Sequence, residues 1–256
     1  MLVPAARRAR AHTLFVHPKG VWAWPPQEAA QPHEYADLGA WCTAHADSAA
    51  RLIVSDQLTQ TMVVEPHLPL RDTNALRTYA GRQFVHYYGS AAHDWPLALW
   101  QRPGRGACAL HSLDLDALRR EGALHRVRWL GMSPAWAAAL QFAAPALADL
   151  ASGERAGLLW VEGAHVTCLA LEDGKVAQLR QRYMDGVSMD HLATLLSSCV
   201  EELQLTGPTF VAGWDIEGTH HAHALPATIL GRLDARLPAL ETLAAGSKSR
   251  RWQAWA

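Results

Sequence analysis

Neither sign of charge prevails in this chain: 23 Lys and Arg stand against 24 Asp and Glu over 256 residues, for a formal net charge of -1. So weak a field excludes the basic footprint of a nucleic-acid binder and the acidic excess of a solvating tail. The interleaved aromatic and basic residues of single-strand binders are missing too. Cysteine is scarce. Cys42, Cys108, Cys168 and Cys199 are scattered through apolar segments, which reads as buried free thiols of a reducing compartment. No long uninterrupted apolar run is present: the longest low-charge stretch, residues 132–150, is rich in Ala and contains Pro134, Gln141, Pro145 and Asp149. Ala barely favours lipid and prolines break a span, so this stretch predicts a buried helix. Arg7, Arg8 and Arg10 supply a positive start, but His12, His17, Pro18 and Lys19 interrupt the apolar region a signal peptide needs, so the N-terminus is expected to stay in the cytosol.

What is present is apolar. A hydrophobic content of 50% allows a substantial core, in one large domain or two intimate lobes. The most telling segment is Leu158-Leu159-Trp160-Val161-Glu162-Gly163-Ala164-His165-Val166-Thr167, an apolar strand entering a short turn with Gly and leaving as a second strand. It answers a similar hairpin at Thr13-Leu14-Phe15-Val16-His17-Pro18-Lys19-Gly20-Val21-Trp22. Each opens a half-chain that later runs into helices, which predicts a duplication.

After the first hairpin come a Pro-punctuated loop, a helix over residues 35–50, a strand at 51–54 and a neighbouring strand at 60–65. A helix from Asp72 or Thr73 to about Tyr88 stops at Gly89. Residues 95–100 and 106–110 predict paired strands, 113–122 a helix, 127–130 a strand and 134–150 a helix. Residues 152–155 mark the expected lobe boundary. In the second half, a strand at 175–183 extends the hairpin, followed by an amphipathic helix at 188–203, a buried strand at 209–213 and a helix at about 227–237. The expected domains are therefore residues 1–152, residues 153–247 and a polar tail at 248–256.

This layout resembles the actin-like fold of actin, sugar kinases and heat-shock chaperones: α/β, ribonuclease-H-like, duplicated into two lobes of mixed sheets covered by helices. In that group the hairpin turns grip nucleotide phosphates, using an acid followed by Gly so that backbone N–H groups face the phosphate. Here Val16 stands where the first acid belongs, and Pro18, which has no N–H, where the first Gly belongs. The second turn keeps Gly163, Val166 and Thr167, yet Val161 replaces its acid and only Glu162, one position on, offers a carboxylate. The expectation is an actin-like body without cofactor or catalytic residues.

A helix leading into the strand at 51–54, then Val63-Val64-Glu65-Pro66 and the helix at 73–88, further resembles the cytoplasmic domain of the inner-membrane platform protein of bacterial type II secretion and its type IV pilus relatives. The later order, 108–111, 113–122 and 128–134, fits the same family. The resemblance implies a scaffold at the cytoplasmic face of the inner membrane, with an assembly ATPase and platform proteins as partners and a second copy of the chain as a further one. Lys248, Arg250, Arg251, Trp252 and Trp255 then read as a collar of cations and interfacial aromatics for peripheral membrane contact.

Other constellations point elsewhere. His220, His221 and His223, with Asp215 and Glu217 nearby, have the spacing of a metal-binding loop. Cys42 with His45 share a helix face, whereas Cys108 and His111 on a strand point apart. Among the 11 Trp, Trp129, Trp160 and Trp214 read as core, while Trp22 and Trp24 alternate beside a Pro-rich loop and form a candidate partner face. Two alternatives to the scaffold follow: a nucleotide-dependent enzyme acting through Glu162, Gly163 and Thr167, and a metal-dependent protein using the His220 to His223 loop.

Overall fold

The computed structural model describes residues 11–26, 32–101, 104–148, 150, 153–217 and 225–233. In the first half, β1 (His12–His17) and β2 (Gly20–Trp24) form the expected hairpin, and β3 (His33–Tyr35) adds to β2 antiparallel. Helix α1 (Leu38–Ala44) leads into β4 (Ala49–Val54), which lies parallel to β1. Asp37 caps α1 by accepting from the Ala40 N–H at 2.7 Å. The helix is shorter than predicted because a turn at residues 45–47, with Asp47 at a φ of 60°, redirects the chain into β4.

A three-stranded sheet then interrupts the lobe. It pairs β5 (Thr59–Val63), β6 (Leu97–Trp100) and β7 (Gly106–Leu110) in the order β5-β7-β6, covered by α2 (Thr73–Tyr88). Gly106 is required here, since a Cβ would lie 2.2 Å from the Trp100 ring and 2.3 Å from the Met62 carbonyl oxygen. The chain returns through α3 (Leu115–Leu124) and β8 (Arg128–Pro134), which lies parallel to β4. Helix α4 (Ala135–Ala143) follows; apolar but for the exposed Gln141, it packs between the two large sheets, against β4, β8, β9 and β12.

The second half runs β9 (Arg155–Glu162), β10 (His165–Glu172), β11 (Lys175–Tyr183), α5 (Met189–Glu202), β12 (Thr209–Trp214) and β13 (Thr228–Ile229). The two large sheets have orders β3-β2-β1-β4-β8 and β11-β10-β9-β12-β13. In each, three antiparallel strands are followed by two strands parallel to the first. The same topology twice over is the duplication the hairpins announced, in an actin-like arrangement of two mixed α/β lobes.

Three expectations are corrected. A third strand does follow the first hairpin: β3 is three residues of an exposed edge, His-Glu-Tyr, too short and too polar to carry a period-two signal. The strand at 51–54 is therefore the fourth, where the sequence suggests only a Pro-punctuated loop and a helix between it and the first hairpin. The strand at 60–65 is not its neighbour; as β5 it pairs with β7 in the small sheet. The helix expected at 227–237 begins instead with β13, and residues 234–237 lie outside the described residues. The expected boundary at Ser152 also lies outside them.

Candidate functional site

The registers align the two hairpins residue by residue. Val16 pairs Val21 and His17 pairs Gly20 in the first, Val161 pairs Val166 and Glu162 pairs His165 in the second. His17 thus corresponds to Glu162, and the turn Pro18-Lys19 to Gly163-Ala164. Both positions where the resemblance looks for an acid, Val16 and Val161, are buried strand residues. The turn donors are engaged internally: the Lys19 N–H donates to His17 Nδ1 at 3.2 Å, and the Gly163 N–H to the Trp214 carbonyl at 3.1 Å.

Glu162 turns away from its own turn and into the junction between the lobes, where it is 1% exposed. Its carboxylate accepts from Ser55 Oγ, from the Asp56 N–H at 3.2 Å and from Trp160 Nε1 at 2.7 Å. Asp56, fully buried in the short helical turn Asp56–Leu58 that follows β4, reaches the other way. It accepts from Thr167 Oγ1 of the second lobe at 2.7 Å and from the Trp136 N–H of α4 at 3.2 Å. Gln181 of β11 closes the set: its amide donates to the Asp56 and Thr59 carbonyls at 3.1 and 3.0 Å and accepts from the Thr61 N–H at 2.9 Å. Each lobe thus inserts one carboxylate into the donors of the other.

The duplication generates a second junction from the same positions. Val54 pairs Val16 and Gly213 pairs Val161, so Ser55 corresponds to Trp214 and Asp56 to Asp215. Trp214 contacts the first hairpin as Ser55 contacts the second. Its ring lies edge-on to Trp22 at 4.9 Å, to Phe15 at 6.3 Å and to His17 at 6.4 Å. Gly213 makes this possible, because at a φ of 155° a Cβ there would meet the Val161 carbonyl oxygen at 2.1 Å. The lobes therefore meet through a carboxylate network on one side and an aromatic cluster on the other.

Electrostatics follow from burial. Desolvation raises Asp56 well above the ordinary carboxylate value, with the neighbouring Glu162 charge adding to it, and desolvation raises Glu162 as well. Burial lowers His17, and it lowers His165 to about 4, with His111 adding to the shift.

Beside the first turn opens a cleft of about 810 Å³, walled by the hairpin, the N-terminal ends of α1 and α3, and Gln57 and Leu58. Its rim carries Asp37, Asp114 and Glu121 with no Lys or Arg, and Leu58, Leu113 and Leu118 line its floor. Asp114 accepts from the Asp116 and Ala117 N–H groups at 2.8 and 2.9 Å, and the latter bond chiefly lowers its pKa. With carboxylates already capping both helices, the cleft suits a cation and not a phosphate.

Of the residues singled out in the sequence, Glu162 and Thr167 meet at the junction, and Gly163 forms the second turn. Trp22 and Trp24 are 7% and 3% exposed, so the candidate partner face is core: Phe15 and Trp214 cover Trp22. Cys42 lies on the buried side of α1, and Cys108 Sγ accepts from Thr61 Oγ1 at 3.3 Å. Among the described residues no group of three or more His, Cys, Asp or Glu converges as metal ligands. His220, His221, His223, Arg250, Arg251, Trp252 and Trp255 lie outside the described residues. Ser55 and Asp56 were missed. Aligning Val54-Ser55-Asp56 with Gly213-Trp214-Asp215 after the two parallel strands would have flagged them. No helix among the described residues is long and apolar enough to cross a membrane.

No protein-family model matches the chain, and no curated protein matches it. Solved structures do. A Bacteroides thetaiotaomicron protein with an actin-like ATPase fold and unknown function superposes with a TM-score of 0.59 at 7% identity, over 96% of this chain and 98% of that one. The PilM–PilN type IV pilus biogenesis complex gives 0.56 at 10%, over 93% and 94%. The cytoplasmic domain of EpsL, an inner-membrane component of the type II secretion system of Vibrio cholerae, gives 0.54 at 13%, over 91% and 92%. At these identities the likeness shows the fold.

Proposed function

We propose that this protein is a non-enzymatic scaffold at the cytoplasmic face of a bacterial inner membrane, coupling the assembly ATPase of a secretion or pilus-type machine to its membrane platform. The observation that carries the proposal is the junction itself. In the turns that would hold phosphate in an actin-like enzyme, the Lys19 and Gly163 N–H groups are engaged within the fold, and Glu162 is consumed by Ser55, Asp56 and Trp160. Likeness to the EpsL cytoplasmic domain and to PilM–PilN supports the setting. The cleft beside the first hairpin supplies a docking surface whose acidic rim and Leu floor suit a short apolar partner segment carrying Lys or Arg.

Capture from a bacterial lysate tests the reading, with a hexameric ATPase or platform protein expected in the eluate and its loss expected in Asp114→Lys and Glu121→Lys variants. Calorimetry with Mg-ATP is expected to show no micromolar binding. Micromolar affinity lost on substituting Gly163 would install the nucleotide-dependent enzyme in place of the scaffold. Peripheral membrane contact through residues 248–256 is tested by flotation on anionic vesicles, with truncation after Gly246 expected to abolish it.

A further inference from the structure

We propose that Cys168 and Cys199 are a redox-active pair that closes to a disulfide inside the second lobe, with a small-molecule disulfide of the glutathione class as oxidant. Cys168 sits in the middle of β10, paired with Leu159 on one side and Arg180 on the other, and Cys199 faces it from α5. They are 31 positions apart in sequence, yet their sulfurs stand 2.8 Å from each other. A disulfide needs about 2.05 Å, so closure asks the two sulfurs to come less than about 1 Å nearer.

The surroundings favour one order of events. The two thiols are hydrogen-bonded to each other, and Cys199 lies in the last turn of α5. Cys168 is mid-strand and Cys199 is near a helix end, so Cys199 is the thiol that meets the oxidant first and attacks as its thiolate. Both sulfurs are buried, at 0% and 2% exposure, but a surface ion pair, Arg182 with Glu202, lies close enough to bias both thiols. Glu202 is the last residue of α5, so fraying of that final turn opens a route to Cys199.

The chemistry balances. The Cys199 thiolate attacks one sulfur of the oxidant, forming a mixed disulfide and releasing one small thiolate. Cys168, losing its proton to that thiolate, then attacks Cys199 Sγ and expels the second small thiol. Two protein thiols are oxidised and one external disulfide is reduced to two thiols. The link would fasten α5 to the sheet that carries Glu162 and Thr167. Cys42 and Cys108 are the internal control: burial raises their thiols to about 11 and about 12, and neither sulfur faces another among the described residues.

The experiment treats the whole protein, under native conditions, with oxidised glutathione over a range of redox ratios, then blocks free thiols and maps peptides by mass. The expected result is a Cys168–Cys199 linked peptide with Cys42 and Cys108 still blocked as thiols. Thermal unfolding of the oxidised form should rise by roughly 5 °C or more and return on reduction with dithiothreitol. Cys168→Ala should stop at a stable glutathione adduct on Cys199. Four thiols unchanged after prolonged oxidation, a stable Cys199 adduct in the unsubstituted protein, or a link involving Cys42 or Cys108 would each overturn the proposal.

Discussion

Thr167 of the second lobe donates its hydroxyl to the carboxylate of Asp56 in the first, at 2.7 Å, across 111 positions of sequence. Neither side chain is accessible to water, so nothing replaces the bond if it is lost. Thr167→Val keeps the shape and removes the donor. Chemical unfolding should show it to be destabilised by about 2 kcal/mol, the usual cost of stripping a donor from a buried carboxylate. An unchanged midpoint would mean that the lobes are not held together here.

The buried carboxylates set an unusual pH response. Asp56 and Glu162 have pKa values raised by burial, so the stability they contribute is fully present below the unfolded carboxylate value and is lost as pH rises through their folded values. Glu162→Gln keeps an acceptor for Trp160 and removes one of the two ionisations. Melts at pH 5 and pH 8 should show the parent losing stability on the alkaline side, and the variant exceeding it at pH 8 by on the order of 1 kcal/mol. Parallel pH profiles for the two proteins would show that the pair does not titrate at the junction.

His165 acts with the opposite sign. Burial, helped by His111, lowers it to about 4, so its contribution is present above the unfolded histidine value and is lost as pH falls below about 6.5. Acidification from pH 7 to 4.5 should cost the parent roughly 2–3 kcal/mol from this residue, a loss that His165→Gln should not show. Unfolding midpoints collected across that range decide it.

The aromatic half of the junction depends on Trp214, which Trp22, Phe15 and His17 surround. Trp214→Ala should cost about 3–5 kcal/mol, as for other large aromatic truncations in cores, and Trp214→Phe a good deal less. Limited proteolysis should then cut between the lobes of the Ala variant faster than in the parent. If the Ala variant is as resistant as the parent, the first hairpin does not rely on the second lobe.

The resemblance to an actin-like body could be read because period and turn chemistry are local. Apolar runs on either side of Pro18-Lys19 and Gly163-Ala164 mark the hairpins, Asp72 and Gly89 bound α2, and Ser188 caps α5 by accepting from the His191 N–H. The edge strand His33–Tyr35 escaped notice because three residues, two of them exposed, carry no period, and its partner β2 ends several residues earlier in the sequence. The pairing of β6 with β7 was legible, but the place of β5 beside β7 was not, because β5 reads alike whether it pairs with β4 or β7; the close approach that Gly106 permits accompanies the latter. Trp22 and Trp24 were legible as a pair on one face, but what lies against Trp22 is Trp214, nearly two hundred residues downstream by position number.

By itself, then, the amino-acid order determined two hairpins of the same kind, the apolar content to cover them and the loss of an acid at Val16 and Val161. It also determined that α4 must be largely buried, since a helix apolar but for Gln141 has no other place. Tertiary structure alone decided where the remaining polar groups go. Ser55 and Asp56 are ordinary residues of a turn until the second lobe brings Glu162 and Thr167 against them, and Cys168 and Cys199 are ordinary core residues until α5 lies down on β10. The physical reason is that burial and pairing are properties of non-local contacts: a carboxylate's charge, a thiol's partner and a tryptophan's exposure are set by what another part of the chain places beside them.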